Sequence, residues 1–122
     1  MDRKILTTAT FFGASAVILG AFGAHKLKEL LAPEMLISFE TGVRYQMYHA
    51  FLLLFVGMYG GMSAKTKQAV YWLVTFGILL FSGSIYLLST SGISGINFKP
   101  IGFVTPIGGL LLIVGWFWLF ID

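Results

Sequence analysis

The chain has 122 residues, enough for one domain. It is 57% hydrophobic and 11% charged, with a mean hydropathy of +0.88. Soluble domains carry roughly 25% charged residues, and so few charges could not cover a soluble chain this short, so a water-soluble fold is excluded. The net charge is +3, and the eight basic residues sit between apolar runs rather than in a patch, so nucleic acid is not an expected partner. No cysteine is present, which excludes disulfides, thiolate metal sites and a catalytic thiol.

Four apolar runs follow in chain order, at about 5–24, 43–62, 69–90 and 101–121. Each approaches the roughly 20 residues that a helix needs to cross a bilayer. None alternates as barrel strands do. The expected fold is all-α, a single domain over 1–122 forming a membrane bundle of four transmembrane helices. The lipid bilayer is then its first partner and the inner cell membrane its location, crossed several times. Arg3 and Lys4 before the first run, with Ala21-Phe22-Gly23 near its end, also resemble a signal peptide. We expect this run to be a retained helix.

The first run carries a ladder of small residues, Ala16, Gly20 and Ala24, at four-residue spacing. The second carries Gly57 and Gly61, and the fourth Gly108 and Gly109. Such residues let helices approach closely in lipid. They suit packing inside the bundle, and equally a subunit interface in a homo-oligomer.

The connection 25–42 is amphipathic. Leu27, Leu30 and Leu31 oppose Lys26, Lys28 and Glu29, and Pro33 can open a new helix. An interfacial segment is expected here, feeding directly into the second helix. A continuous helix from Glu34 to Gly61 would be about 42 Å long, so its first turns should stand among the headgroups.

The entrance of the second helix holds the densest polar cluster: Glu40, Arg44, Tyr45, Gln46, Tyr48 and His49. Glu40 and Arg44 are spaced for an intrahelical ion pair. His25, at the end of the first helix, falls on the same side of the membrane and could approach His49. The two imidazoles could serve a metal, haem, quinone or polar lipid. Two histidines do not complete a metal site, however, unless Glu40 contributes. The plainer expectation is hydrogen bonding between helices, and no cofactor or metal is expected.

Ser63 to Gln68 reads as a short polar turn, which makes the second and third helices antiparallel neighbours. Ser82, Ser84 and Tyr86 interrupt the third run with polar groups, and 91–100 reads as a loop. Pro106 is expected to kink the fourth helix, with Thr105 helping to satisfy the freed carbonyl. Trp116, Trp118 and Phe120 close that helix as an aromatic belt. Basic residues divide four against four between the two sides, so orientation is undetermined. No nucleophile–base pair, phosphate loop or paired carboxylate appears, and nothing argues for an enzyme.

Four motifs occur in order: Gly20-Ala21-Phe22-Gly23-Ala24-His25, Tyr45-Gln46-Met47-Tyr48-His49, Phe81-Ser82-Gly83-Ser84-Ile85-Tyr86, and Thr105-Pro106-Ile107-Gly108-Gly109. Together they resemble the YgdD/YwdK-like family of small bacterial membrane proteins, the domain of unknown function 423. The resemblance covers nearly the whole chain, with the loop from Ser91 to Pro100 somewhat extended. It implies a four-helix inner-membrane protein and no particular reaction; some members are thought to support membrane integrity. Three functions are therefore carried forward: a non-enzymatic structural or lipid- and partner-interacting protein, an oligomeric small transporter or channel, and a histidine-dependent cofactor-binding protein.

Overall fold

The computed structural model describes residues 2–122, and every regular element among them is helical. The helices are α1 (Arg3–Phe22), α2 (Lys28–Leu30), α3 (Pro33–Met58), α4 (Ala64–Ser89), α5 (Ser91–Ser94) and α6 (Val104–Phe120). Three of the starts have a local cause. The Ile5 N–H donates to Asp2 Oδ1, capping α1 at 3.3 Å. The Thr66 N–H donates to Ser63 Oγ in the same way at 3.2 Å. Pro33 occupies the first turn of α3, where its missing N–H costs nothing.

Several expected boundaries move. A π turn, Gly23–Leu27, joins α1 to α2, so one helical stretch continues to Leu30. Leu31 and Ala32 are extended and end it. The connection 25–42 is helical on both sides of this break: its first part prolongs α1 and its last part, from Pro33, opens α3. The polar stretch after Ser63 is the first turn of α4 rather than a loop, because the Ser63 cap starts the helix early. The actual turn spans residues 59–63 and includes Gly61, which the ladder reading had placed on a helix.

Pro106 also departs from expectation. It lies in the first turn of α6, which begins at Val104. A proline there removes a donor that has no partner within the helix, so it starts α6 and does not kink it.

α3 and α4 form the centre. α1 packs on α3, and α6 packs on α4. The core joins Ile5, Ala9 and Phe12 of α1 to Leu53 and Val56 of α3, Val70 and Val74 of α4, and Leu112 of α6. Glycine sets two of the closest approaches. A Cβ on Gly108 would strike the backbone of Leu80 and Phe81, and one on Gly57 would come within 2.8 Å of Leu6.

One end of the bundle collects both chain ends and the α3–α4 turn. The Asp2 N–H donates to the Gly57 carbonyl (2.9 Å), and Lys4 Nζ to Gln68 Oε1 (3.1 Å). Ser63 Oγ donates to Asp122 Oδ1 (3.0 Å), as does the Thr66 hydroxyl.

The outer surface is apolar. Phe11, Ile18, Phe51, Phe55, Phe76 and Phe117 all face outward. Soluble monomers rarely expose contiguous apolar surface of this kind, whereas lipid makes it favourable. Three stretches, Arg3–Leu30, Ala64–Ser89 and Lys99–Phe120, are long and apolar enough to cross a membrane. Four had been expected. α3 matches them in length at 26 residues but falls short in apolarity, because Arg44, Gln46 and His49 lie within it.

Candidate functional site: a polar seam inside the bundle

The inward face of α3 carries Phe39, Gly42, Gln46, His49 and Leu53, spaced three or four residues apart. Helical periodicity alone therefore brings one amide and one imidazole into the core. Buried polar groups in lipid need partners, and here they find them on three other helices.

Gln46 bridges α1 and α4. Its Nε2 donates to the Phe12 carbonyl at 2.9 Å and to Ser15 Oγ at 2.8 Å. Its Oε1 accepts from the Tyr86 hydroxyl at 2.6 Å. One amide thus spends both its protons and its carbonyl between helices.

His49 reaches α6. Its Nδ1 lies 2.7 Å from the Tyr45 carbonyl, and Trp116 Nε1–H donates to its Nε2 at 3.0 Å. A carbonyl only accepts and an indole only donates. The ring is therefore the neutral tautomer protonated on Nδ1, with both nitrogens occupied. A metal at Nε2 would have to displace Trp116.

The remaining hydroxyls form smaller bridges. Ser82 Oγ donates to the Gly42 carbonyl at 2.7 Å, joining α4 to α3. Ser84 and Thr105 hydroxyls pair at 2.5 Å, joining α4 to α6. Thr8 and Tyr71 hydroxyls pair at 2.9 Å, joining α1 to α4. Among the described residues, Thr75 Oγ1 is the one buried side-chain polar atom without a partner.

The rest of the expected cluster does not join this seam. Arg44 and Glu40 are exposed, and Arg44 donates to Thr41 Oγ1 (3.1 Å) instead of pairing with Glu40. Tyr45 and Tyr48 face outward, their rings 5.6 Å apart. His25 does not approach His49: it lines a surface depression with Lys26, Lys28 and Glu29. No group of three potential metal-ligating histidine or acidic side chains forms among the described residues.

Of the small residues, Ala16 is buried, Gly20 faces Val43, and Gly109 faces the Phe81 ring at 3.4 Å. Ala24 is exposed. Gly61 meets only the ring of its own turn neighbour Tyr59. The sequence reading missed Trp116 as a hydrogen-bond donor, because its place near a helix end resembles a lipid belt. It also read Ser82, Ser84 and Tyr86 as interruptions. The available signal was their two- and four-residue spacing, which sets Ser82 and Tyr86 on one face.

Three of the four motifs thus mate with one another. Gln46 meets Tyr86, Ser84 meets Thr105, and Gly108 lies against Phe81. A family model described as protein of unknown function (DUF423) matches residues 19–109, which hold all four motifs. The chain belongs to this family. It is 45% identical over 106 residues to a UPF0382 membrane protein of Staphylococcus saprophyticus, covering 87% of this chain and 84% of the relative. It is 42% identical to the UPF0382 membrane protein YwdK of Bacillus subtilis, covering 83% and 80%. A UPF0382 membrane protein of Haemophilus influenzae is 38% identical, covering 95% and 90%. No solved structure matches the chain. Like its DUF423 relatives, this chain is a membrane protein.

Proposed function

We propose that this chain is a four-crossing membrane protein with a structural, membrane-stabilising role exerted through the surrounding lipid. The observation that carries the reading is the polar seam. Gln46 spends its hydrogen-bonding groups on neighbouring helices, and His49 spends its two ring nitrogens on the Tyr45 carbonyl of its own helix and on Trp116 of α6, which leaves none for a substrate. The same observation supports α3 as the fourth crossing. Part of its low apolarity comes from Gln46 and His49, which face the bundle, while Phe51, Phe55 and Met58 face outward. Its 26 residues reach about 39 Å, longer than a hydrocarbon core of about 30 Å. Exposed Glu40 and Arg44 then stand near the headgroups.

Complementation tests the role. Cells deprived of the chain should admit an impermeant dye more readily. Wild type and His25→Ala should restore the barrier, and Gln46→Ala should restore it only in part. Purified protein in vesicles should carry no proton-coupled flux; a flux that grows with the amount of protein would overturn the reading in favour of a transporter.

A further inference from the structure

At the end of the bundle opposite the chain termini, a groove of about 530 Å³ opens between α3, α4 and α6. Its wall is mainly apolar, formed by Met35 of α3, Ile85 and Leu88 of α4 and Pro106 of α6. Lys99 and Ser38 also line it. No carboxylate lines it. Local structure sets Lys99 in place: its backbone N–H donates to Asn97 Oδ1 (3.0 Å), and Pro100 follows in a 3-10 turn over Lys99–Ile101. The other lining hydroxyls are engaged inside the protein, Ser89 with the Ile85 carbonyl, Ser91 with Leu88 and Thr105 with Ser84. Lys99 and Ser38 are both exposed.

We propose that this groove binds one anionic phospholipid. An acyl chain fills the apolar wall, and the phosphate lies between the Lys99 ammonium and the Ser38 hydroxyl. Three features select this occupant. An apolar cleft at the membrane boundary is costly to fill with water. A lysine at that depth places its charge at the headgroup level. Finally, a lone cation without a lining acid complements a phosphate and disfavours a headgroup bearing its own cation. The proposal deepens the lipid-mediated role above and rests on the chain lying in a bilayer.

The test uses the full chain purified in mild detergent with phosphatidylglycerol and phosphatidylcholine of matched acyl chains, and counts retained lipid by native mass spectrometry. Wild type should retain phosphatidylglycerol over phosphatidylcholine by roughly fivefold, the scale of one basic side chain at an anionic headgroup. Lys99→Gln should abolish that preference and keep some retention of both lipids. Ser38→Phe, which obstructs the groove from an exposed position, should lower retention of both. Lys28→Gln, a cation at the same end but off the groove, should change nothing. Equal retention of the two lipids by wild type would overturn the proposal, as would an equal loss in Lys28→Gln and Lys99→Gln. Circular dichroism of each variant separates this result from misfolding. Failure of the structural role would appear in the dye assay and leave the lipid count unchanged.

Discussion

Gln46 concentrates more interhelix bonding than any other side chain in the seam, which makes it the sharpest place to test the packing. Truncation removes its contacts to Phe12, Ser15 and Tyr86 together. A membrane hydrogen bond is worth roughly 0.6–2 kcal/mol, and the three are not additive. Gln46→Ala should therefore lower stability by about 1–3 kcal/mol, read as an earlier transition in a denaturing-detergent titration. Tyr86→Phe removes one bond and should cost less. A double-mutant cycle between the two should show clear coupling, and additive effects would place the Tyr86 bond outside the seam. Glycine offers a second contrast. A Cβ on Gly108 meets the backbone of α4, which cannot rotate away. Gly108→Ala should thus destabilise by about 3 kcal/mol, the scale of overpacking a tight contact. A Cβ on Gly83 meets nothing within 4 Å, and Gly83→Ala should leave the transition where it is or raise it.

Among the elements, α3 is the one whose crossing belongs to the proposal rather than to its hydropathy. A hydropathy sum treats every side chain as lipid-facing, but α3 turns Gln46 and His49 inward and Phe51 and Phe55 outward. α6 shows the same dependence on context. Pro106 read alone suggests a kink, yet two residues of helix precede it, and in a first turn it breaks no hydrogen bond. Pro106→Ala should accordingly leave thermal stability within about 0.5 kcal/mol of wild type. An interior proline would differ from alanine by about 3 kcal/mol, and a change of that size would mean that α6 begins earlier. The π turn Gly23–Leu27 rotates the end of α1, leaving His25 and Lys26 outside and burying Leu27. His25 thus stays apart from His49, which a shared side of the membrane had suggested it could approach.

At the scale of the whole molecule, the chain ends and the α3–α4 turn share one face. The chain has no native cysteine, so single substitutions report cleanly. Lys4→Cys, Lys67→Cys and Asp122→Cys should react with an impermeant maleimide from one side of the membrane, and Lys28→Cys from the other. If α3 did not cross, Lys67 would instead react from the same side as Lys28. The C-terminal latch adds a pH dependence. Hydrogen bonds from Thr66 and, secondarily, Ser63 hold the Asp122 carboxyl below its usual range. A depressed carboxylate stabilises the folded state above its unfolded pKa, and the contribution disappears as pH falls through the folded pKa. The end of α6 should therefore loosen in acid, below about pH 4, seen as faster hydrogen exchange beyond Trp118. Asp122→Asn should remove that dependence.

Composition and helical periodicity alone determined the all-helical membrane class, the long apolar stretches and Gln46 and His49 as polar groups on one of the helices. These properties are local: the bilayer requires about 20 apolar residues whatever their neighbours, and a Gln at a given helical phase faces one direction. Pairing was not local. Ser84 with Thr105, Trp116 with His49 and the separation of His25 from His49 depend on which helices stand side by side. The same holds for Pro106, Gly61 and the residues after Ser63, whose meaning changed with helix boundaries of only a few residues. Only the tertiary structure decided these, because a polar group in lipid takes whichever partner the packing of the helices brings within reach.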